Sequence, residues 1–240
     1  MKNIAQAVEE ELFLLRDEQK ARFLQSFFKT GKGQYAEGDR FLGIVVPAQR
    51  KIAKLYYKDI ALSDLSELLK SAWHECRLTT LLMLTMKMAK EKKPDVSQAI
   101  VDFYLSHLDY INNWDLVDLS APYILGKRLL DNDDKLLLYD LADSGELWRQ
   151  RISIISTLYF IRNQHFNTSF ALAEKLLYHK HDLIHKAVGW VLREIGKRDR
   201  DLEREFLDHY HQTMPRTMLR YAIEHFEQTE RKHYMEKKTF

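Results

Sequence analysis

Apolar residues recur at spacings of three and four along almost the whole chain, which is the pattern of amphipathic helices. The 240 residues include only 8 glycines and 4 prolines, so helix breakers are sparse. No segment shows the two-residue alternation of a strand bounded by hairpin turns. We therefore expect an all-α fold. The periodicity predicts helices near 4–28, 47–57, 63–71, 73–90, 95–107, 113–129, 133–143, 147–162, 167–178, 182–197, 200–211 and 216–228.

A weak internal repeat runs through these helices. Trp73, Trp114 and Trp148 each open a helix after a short polar turn, at separations of 41 and 34 residues, and a related segment starts near Ile184. Helix pairs at this period predict HEAT-like repeats stacked into a curved solenoid, with the second helix of each pair on its concave face. Degenerate repeats also arise by chance in helical chains. We expect one repeat domain over residues 1–240.

Charge is distributed unevenly along the chain. The net charge is +2, but residues 1–94 and 147–240 each hold 17 Lys and Arg against 12 Asp and Glu, whereas residues 95–146 hold 3 against 11. Basic flanks of this kind suit a polyanion, although a random surface distribution gives similar counts.

Composition also indicates the cellular compartment of the protein. A single cysteine, Cys76, excludes an internal disulfide and a cysteine-based zinc site. No apolar run reaches the roughly 18 residues that span a bilayer, and the N-terminus lacks the features of a signal peptide. We expect a cytoplasmic protein without a membrane partner.

The segment Trp114-Asp115-Leu116-Val117-Asp118 is the first candidate for chemistry. Trp114 and Asp118 are four residues apart, so both side chains lie on one helix face. Pro122 cannot donate a hydrogen bond to the Asp118 carbonyl, so the helix should bend beside the aspartate. Asp115 points elsewhere and suits the helix dipole as a first-turn acid. Core packing of Trp114 and a structural role for Asp118 remain open.

Two further candidates lie in the second half of the chain. Arg151 offers a rigid fork of donors that could pair with Asp118, hold a phosphate or form an ion pair between repeats. Lys186, Trp190, Arg193 and Lys197 form one stripe on a helix, which suits a phosphate backbone with an aromatic surface beside it. A core tryptophan with cations reaching past it to solvent is the alternative.

The irregular segment 29–47 contains four of the eight glycines. It has neither a preceding strand nor the spacing of a nucleotide-binding loop, so we interpret it as a structural loop. Lys29 and Lys32 could still contact backbone phosphates. His181 and His185 have metal spacing without a third ligand, and no hydrolase, kinase or dehydrogenase motif is present.

The segments FFKTGKGQYAEGDRFLGIVVP, NNWDLVD, WRQR and HKAVGWVLREIGK, taken together and in this order, resemble the AlkD-like DNA alkylation repair glycosylases over about residues 20–200. The resemblance implies HEAT-like repeats with a basic concave groove for duplex DNA, and no metal or cofactor. It implies hydrolysis of the N-glycosidic bond of cationic purines such as 7-methylguanine and 3-methyladenine, with the lesion approached from its sugar side. The family's catalytic aspartate falls on Asp118, its paired tryptophan on Trp114 and its groove arginine on Arg151, and the second groove tryptophan falls on Trp190, followed by Arg193.

These observations lead to one expected function and one alternative. We expect a monomeric base-excision enzyme whose partner is duplex DNA containing alkylated bases, without an obligate protein partner, acting in the cytoplasm at the nucleoid. Asp118, Trp114 and Arg151 are the expected catalytic residues. The alternative is a non-catalytic HEAT-like module that binds DNA or protein. The residues expected to contact DNA are Trp190, Arg193, Lys186, Lys197, Lys29 and Lys32.

Overall fold

The computed structural model describes residues 3–131 and 135–236, and the chain divides into two compact units, Met1–Ile124 and Leu125–Phe240. The expectation of one repeat domain stays a prediction. Unit 1 contains α1 (Ile4–Leu14), α2 (Glu18–Gln25), α3 (Val46–Tyr56), α4 (Leu62–Leu69), α5 (His74–Lys90), α6 (Pro94–Ser106) and α7 (Trp114–Ala121). Unit 2 contains α8 (Lys127–Leu129), α9 (Leu136–Asp143), α10 (Leu147–Ser156), α11 (Leu158–Arg162), α12 (Asn167–Lys175), α13 (Asp182–Gly196), α14 (Arg200–Tyr210), α15 (Arg216–Ala222) and α16 (Gln228–Met235).

The all-α prediction is confirmed. Apart from one bridge between Arg40 and Trp73, residues 3–131 and 135–236 contain no β-structure. Within each unit the second helices of successive pairs pack on one another: α5 on α7 in unit 1, and α10 on α13 and α13 on α15 in unit 2. This is the side-by-side packing that helical repeats require. No helix among the described residues has the length and apolar character to cross a bilayer.

Some predicted boundaries were wrong. The predicted helix over 4–28 is two helices, because the Asp17 carboxylate accepts hydrogen bonds from the backbone N–H groups of Gln19 and Lys20 and so begins α2. The helix predicted over 216–228 ends at Ala222 and continues only as a short 3-10 turn, and α16 was not predicted because only Tyr234 in it is buried. The predicted helix start near residue 133 lies outside the described residues.

Unit 1 is built around α5. Twelve of its 17 residues are buried, and α1, α3, α4, α6 and α7 all pack against it. Its first turn carries the polar residues His74, Glu75 and Arg77, which are buried as well. Because a buried polar group is costly unless it is paired, these three side chains must have partners on neighbouring elements.

Unit 2 is built around α13, which α15 approaches closely at Gly189. A Cβ on Gly189 would overlap the carbonyl oxygen of Met218 and the Cβ of Tyr221, both on α15. Glycine costs about 1 kcal/mol of helix propensity relative to alanine, so its presence in mid-helix calls for a packing reason. The contact with α15 is that reason.

The core of unit 2 also contains an acid, Glu203 of α14. Its side chain is fully buried against Gly196, with His225 Nε2 3.3 Å from its Oε2. Burial raises the pKa of Glu203 to about 9, against the opposing effect of Arg200, and burial lowers the pKa of His225. Both groups are therefore neutral near pH 7.

Replacing Glu203 by glutamine is expected to flatten the dependence of stability on pH. The pKa of Glu203 is raised in the folded protein, so below its unfolded value of about 4.5 both states hold the proton, and between about 4.5 and 9 only the unfolded state loses it. Stability conferred at low pH is therefore lost as the pH rises through this window. We expect Glu203→Gln to raise the Tm by several degrees at pH 8 and by little at pH 5, measured by calorimetry; a Tm gain equal at both pH values would contradict this assignment.

Candidate active site

Helix α7 places Trp114 and Asp118 on one face, as the spacing predicted. Both side chains are half-buried. The helix begins at Trp114 because the side chain of Asn113 accepts a hydrogen bond from the Trp114 N–H at 2.8 Å. The negative charge of Asp118 also contributes to raising the pKa of the buried Tyr104 hydroxyl, behind the larger effect of burial itself. The carboxylate of Asp118 thus lies at the boundary between the core of unit 1 and its surface.

The helix is irregular next to Asp118. α7 ends at Ala121, and residues Pro122–Gly126 form a single turn of π-helix before α8. Pro122 lacks an N–H, so the ordinary i+4 hydrogen bond to the Asp118 carbonyl cannot form. The turn of π-helix interrupts the regular α-helix at this point, and the predicted bend stays a prediction. Turns of π-helix inside α-helices are frequent at functional sites.

The indole of Trp114 is one end of a row of stacked rings. Trp114 stacks on Phe28, with ring centroids 5.1 Å apart, Phe28 stacks on Phe41, also at 5.1 Å, and Phe41 stacks on His74 at 4.8 Å. A cavity of about 390 Å³ with mostly apolar walls runs beside these rings, and Asp115 lies at its edge. The stack fixes the plane of the indole, and Phe28 covers one of its two faces.

A buried network of charges lies behind the stack, and sequence reasoning missed it. The imidazole of His74 lies between two carboxylates: its Nε2 is 2.7 Å from Asp115 Oδ2, and its Nδ1 is 3.3 Å from Asp39 Oδ2. Asp39 also accepts hydrogen bonds from Arg77 Nη2 at 2.6 Å and from Asn113 Nδ2 at 3.1 Å. Asn113, which caps the start of α7, is thus tied to Asp39 in the loop before α3 and, through Asp39, to Arg77 of α5.

The network is held in its charged form. Burial by itself lowers the pKa of His74, but the Asp115 and Asp39 carboxylates outweigh burial and raise it to about 9. Burial by itself raises the pKa of Asp39, but the hydrogen bond from His74 and the charge of Arg77 leave it below its usual range. His74 is therefore an imidazolium at neutral pH and donates a hydrogen bond to each carboxylate. Asp115, assigned from the sequence only as a first-turn acid, has His74 as its partner.

The loop of residues 29–45 is anchored by Glu75. Its buried carboxylate accepts hydrogen bonds from the backbone N–H groups of Leu42 and Gly43 at 2.8 Å and of Ile44 at 3.2 Å. Gly43 has φ +87° and lies directly against the Asp17 carbonyl, where a Cβ would overlap it. These contacts position Phe41 in the row of stacked rings.

The glycines at the start of this loop do not form an open phosphate cradle. The N–H of Gly31 donates to the Gln34 side chain at 2.8 Å, and the N–H of Gly33 donates to Glu37 at 2.7 Å. The loop is structural in this respect, as we interpreted it. Lys29 and Lys32 are exposed on its surface.

Arg151 lies in unit 2, on α10, and is buried. Its Nη1 donates a hydrogen bond to the Leu183 carbonyl in the first turn of α13. The guanidinium therefore joins two successive second helices through a backbone carbonyl. This contact between two helices favours a structural role for Arg151. The expected catalytic role of Arg151 stays a prediction.

The predicted stripe on α13 is present, and each of its cations has an acidic partner. Lys186 Nζ is 2.8 Å from Asp182, Lys197 Nζ is 2.6 Å from Glu194, and Arg193 is paired with Glu224. Trp190 is half-buried between them. The sequence showed the cations but not Glu224, which lies on the 3-10 turn after α15. The role of the stripe in DNA binding stays a prediction.

The two histidines with metal spacing serve the backbone. His181 caps α13, because its Nδ1 accepts a hydrogen bond from the Leu183 N–H, and His185 Nε2 bonds to the carbonyl of His179. Within residues 3–131 and 135–236, no group of three His, Cys, Asp or Glu side chains could hold a metal ion.

The fold and the site define an all-α protein of packed helix pairs with a tryptophan–aspartate face on α7. The sequence profile of the family described as "DNA alkylation repair enzyme" matches residues 8–226. The chain therefore belongs to the DNA alkylation repair enzyme family, as the resemblance indicated. The match extends past residue 200, where sequence reasoning found no useful resemblance.

The fold is similar to that of a solved protein structure. A solved structure described as a predicted DNA alkylation repair enzyme from Enterococcus faecalis is similar to the chain, with a TM-score of 0.65 and 14% sequence identity. The similarity covers 89% of this chain and 97% of that one, and at this identity it shows the fold. No curated protein sequence gave a significant match.

Proposed function

We propose that this chain is a DNA glycosylase that hydrolyses the N-glycosidic bond of cationic alkylated purines, such as 7-methylguanine and 3-methyladenine, in duplex DNA. The observation that carries the proposal is the pairing of Trp114 and Asp118 on one face of α7, beside a π-turn, in a chain of the DNA alkylation repair family. The proposal includes a monomeric enzyme that acts in the cytoplasm at the nucleoid and uses no cofactor.

A single carboxylate is sufficient for this reaction because the lesion carries its own positive charge. In hydrolysis, water attacks C1′ of the deoxyribose, and the electron pair of the glycosidic bond passes to the base and neutralises it. The base therefore needs no protonation, and the acid half of a two-carboxylate glycosidase is not required. Asp118 would stabilise the oxocarbenium character at C1′ and orient the attacking water, whose proton passes to the carboxylate or to solvent.

An aromatic residue would help to stabilise the same positive charge. An indole face attracts a cation through its ring quadrupole, so the exposed part of Trp114 would favour the developing positive charge on the sugar. Trp190 of unit 2 would contact the DNA. Arg151 and Arg193 would hold flanking phosphates; for Arg151 this requires that the guanidinium keep its bond to Leu183 and use its remaining donors.

The test is release of free base from methylated duplex DNA by the purified protein. We expect 7-methylguanine and 3-methyladenine to appear in the supernatant together with alkali-labile abasic sites, at a rate above spontaneous depurination. Duplex binding without base release would support the non-catalytic binding module instead. A folded protein that does not bind the duplex even at low salt would indicate a protein scaffold. Binding to DNA releases counterions, so any affinity for the duplex should be greatest at low salt.

A further inference from the structure

A groove in unit 2 lies between α12 and α14, which both pack against α13. Its volume is about 360 Å³, and aromatic rings from both helices line it together with one carboxylate. Neither the sequence motifs nor the proposed reaction uses these residues. The lining includes Phe170 on α12 and Leu202, Glu205, Phe206, His209 and Tyr210 on α14.

The rings of the groove contact one another. Phe170 stacks on Phe206, with ring centroids 5.6 Å apart, and the ring of Tyr210 lies 4.7 Å from that of Phe206 and 4.4 Å from that of His209. The Tyr210 hydroxyl donates a hydrogen bond to Glu174 Oε1 at 2.7 Å. A phenol that donates to a carboxylate has a more electron-rich ring, so the faces of this cluster favour a positive charge.

The groove carries negative charge. Glu205 is exposed in its lining, and Glu174, the partner of Tyr210, is exposed beside it. Within the part of the chain that the structure describes, no lysine or arginine lines the groove. Ring faces next to carboxylates are the arrangement that binds an organic cation, because both attract positive charge.

The cations of α12 and α14 are turned toward other partners. On α14, Arg204 Nε is 2.7 Å from a carboxylate oxygen of Glu230 of α16, and the guanidinium of Arg200 lies 5.2 Å from the ring centroid of Phe226. On α12, the amino group of Lys175 is paired with an acid of α9 at 2.7 Å. The charge of the groove is therefore complementary to a cation that comes from another molecule.

The groove is long enough for a short segment of polypeptide. Leu202, Phe206 and Tyr210 follow one another at four-residue spacing on α14 and so span about 12 Å. Tyr178, after α12, is 64% exposed, and its proximity contributes, behind the hydrogen bond to Glu174, to raising the pKa of Tyr210. An extended chain advances about 3.3 Å per residue, so about four residues fit along this surface. Exposed aromatic surface of this kind is typical of interaction sites.

We propose that this groove is a docking site for an arginine side chain of a polypeptide partner, held against the aromatic rings with Glu205 at its guanidinium. Arginine fits best because its planar guanidinium stacks on ring faces and presents paired donors to a carboxylate. The backbone of the partner would follow α14 from Leu202 toward Tyr210. Docking of the partner goes beyond base release and is independent of it.

The test is binding of a probe peptide to the full chain at pH 8, followed by the NMR signals of aromatic side chains. The probe is an acetylated and amidated pentapeptide with arginine at its centre and alanine at the other four positions. We expect a Kd on the order of 1 mM, with shifts concentrated at the rings of the groove. A peptide with citrulline, which keeps the shape of arginine without its charge, should bind at least about 5-fold more weakly, and one with lysine about 2- to 5-fold more weakly.

Two variants locate the binding site. Glu205→Gln removes the charge at the guanidinium, and Phe170→Leu keeps an apolar side chain but removes a ring face, so each should weaken binding about 2- to 5-fold. Glu227→Gln at the start of α16 and Phe23→Leu on α2 make the same changes at exposed positions and should leave the Kd unchanged. An unchanged Tm verifies that each variant is folded. Because Glu205 is exposed, its variant tests the site even where Phe170→Leu is unstable.

Three outcomes would contradict the docking site. If the citrulline peptide binds as tightly as the arginine peptide, or if Glu205→Gln binds like Glu227→Gln, the groove is not a cation site, whatever the base-release assay shows. If methylguanidinium alone binds as tightly as the arginine peptide, the site takes a small cation and the polypeptide assignment is wrong. If the lysine peptide binds as tightly, the assignment to arginine is wrong. Arginine-specific binding by a chain that releases no base would support the docking site and overturn only the proposed function.

Discussion

Asp118→Asn is expected to slow the release of 7-methylguanine about 10²- to 10³-fold under single-turnover conditions, the loss typical of removing one preorganised electrostatic stabiliser of a transition state. Asparagine keeps the shape of the side chain and removes its charge. The carboxylate stabilises the positive charge on the sugar, which develops only as the glycosidic bond breaks. Its loss should therefore lower the rate of base release at saturating enzyme. The affinity for DNA should stay the same or increase, because a negative charge near a polyanion is lost.

The matched control is Asp140→Asn, which makes the same chemical change at an exposed position on α9. It should leave both the rate and the affinity at the wild-type level. An Asp118→Asn variant that is folded, binds the duplex and releases base at a rate within threefold of wild type would show that the carboxylate is not the catalytic group.

Asp39→Asn is expected to lower the free energy of unfolding by about 3–5 kcal/mol, the cost of breaking a buried ion pair from one side. The carboxylate of Asp39 is the shared acceptor for His74, Arg77 and Asn113. An asparagine at this position leaves the buried Arg77 without its counter-charge. Its amide NH2 group would also face the N–H donors of neighbouring side chains, where the carboxylate now accepts hydrogen bonds. Urea unfolding followed by circular dichroism should show a lower midpoint with an unchanged m value.

Asp59→Asn, at an exposed position after α3, is the control and should change stability by less than about 0.5 kcal/mol. In unit 1 the Asp39 network also fixes the start of α7, so the tryptophan fluorescence of Asp39→Asn should change below the unfolding transition. If Asp39→Asn is as stable as Asp59→Asn, the buried network does not stabilise unit 1 in the way described.

The helices were predictable because their signal is local. A repeating apolar face at spacings of three and four residues is visible in any window of the sequence, and the pairing of Trp114 with Asp118 follows from the same geometry. The merged helix over 4–28 shows where this reasoning fails. The apolar pattern continues through Asp17, and only the capping of Gln19 and Lys20 by its side chain separates α1 from α2. An aspartate followed by Glu18 was the available signal for that helix start.

The network around His74 was not predictable, because its members come together only through tertiary packing. Asp39, His74 and Asp115 are separated by 35 and 41 residues. No spacing rule joins a loop residue, the start of α5 and the start of α7. The same limit applies to Arg193: the stripe on α13 is a helical pattern, whereas its partner Glu224 lies in the next helix pair.

A lone carboxylate suffices for the proposed reaction because the lesion supplies the positive charge, and this can be tested by changing the charge of the base. Two duplexes of one sequence carry either 7-methylguanine, which is cationic, or hypoxanthine, which is neutral and leaves readily only when it is protonated. Release of each base is followed under single-turnover conditions with the wild-type protein. We expect release of 7-methylguanine well above the spontaneous rate and no enzymatic release of hypoxanthine. Release of both bases at comparable rates, or of neither by a protein that binds both duplexes, would contradict it.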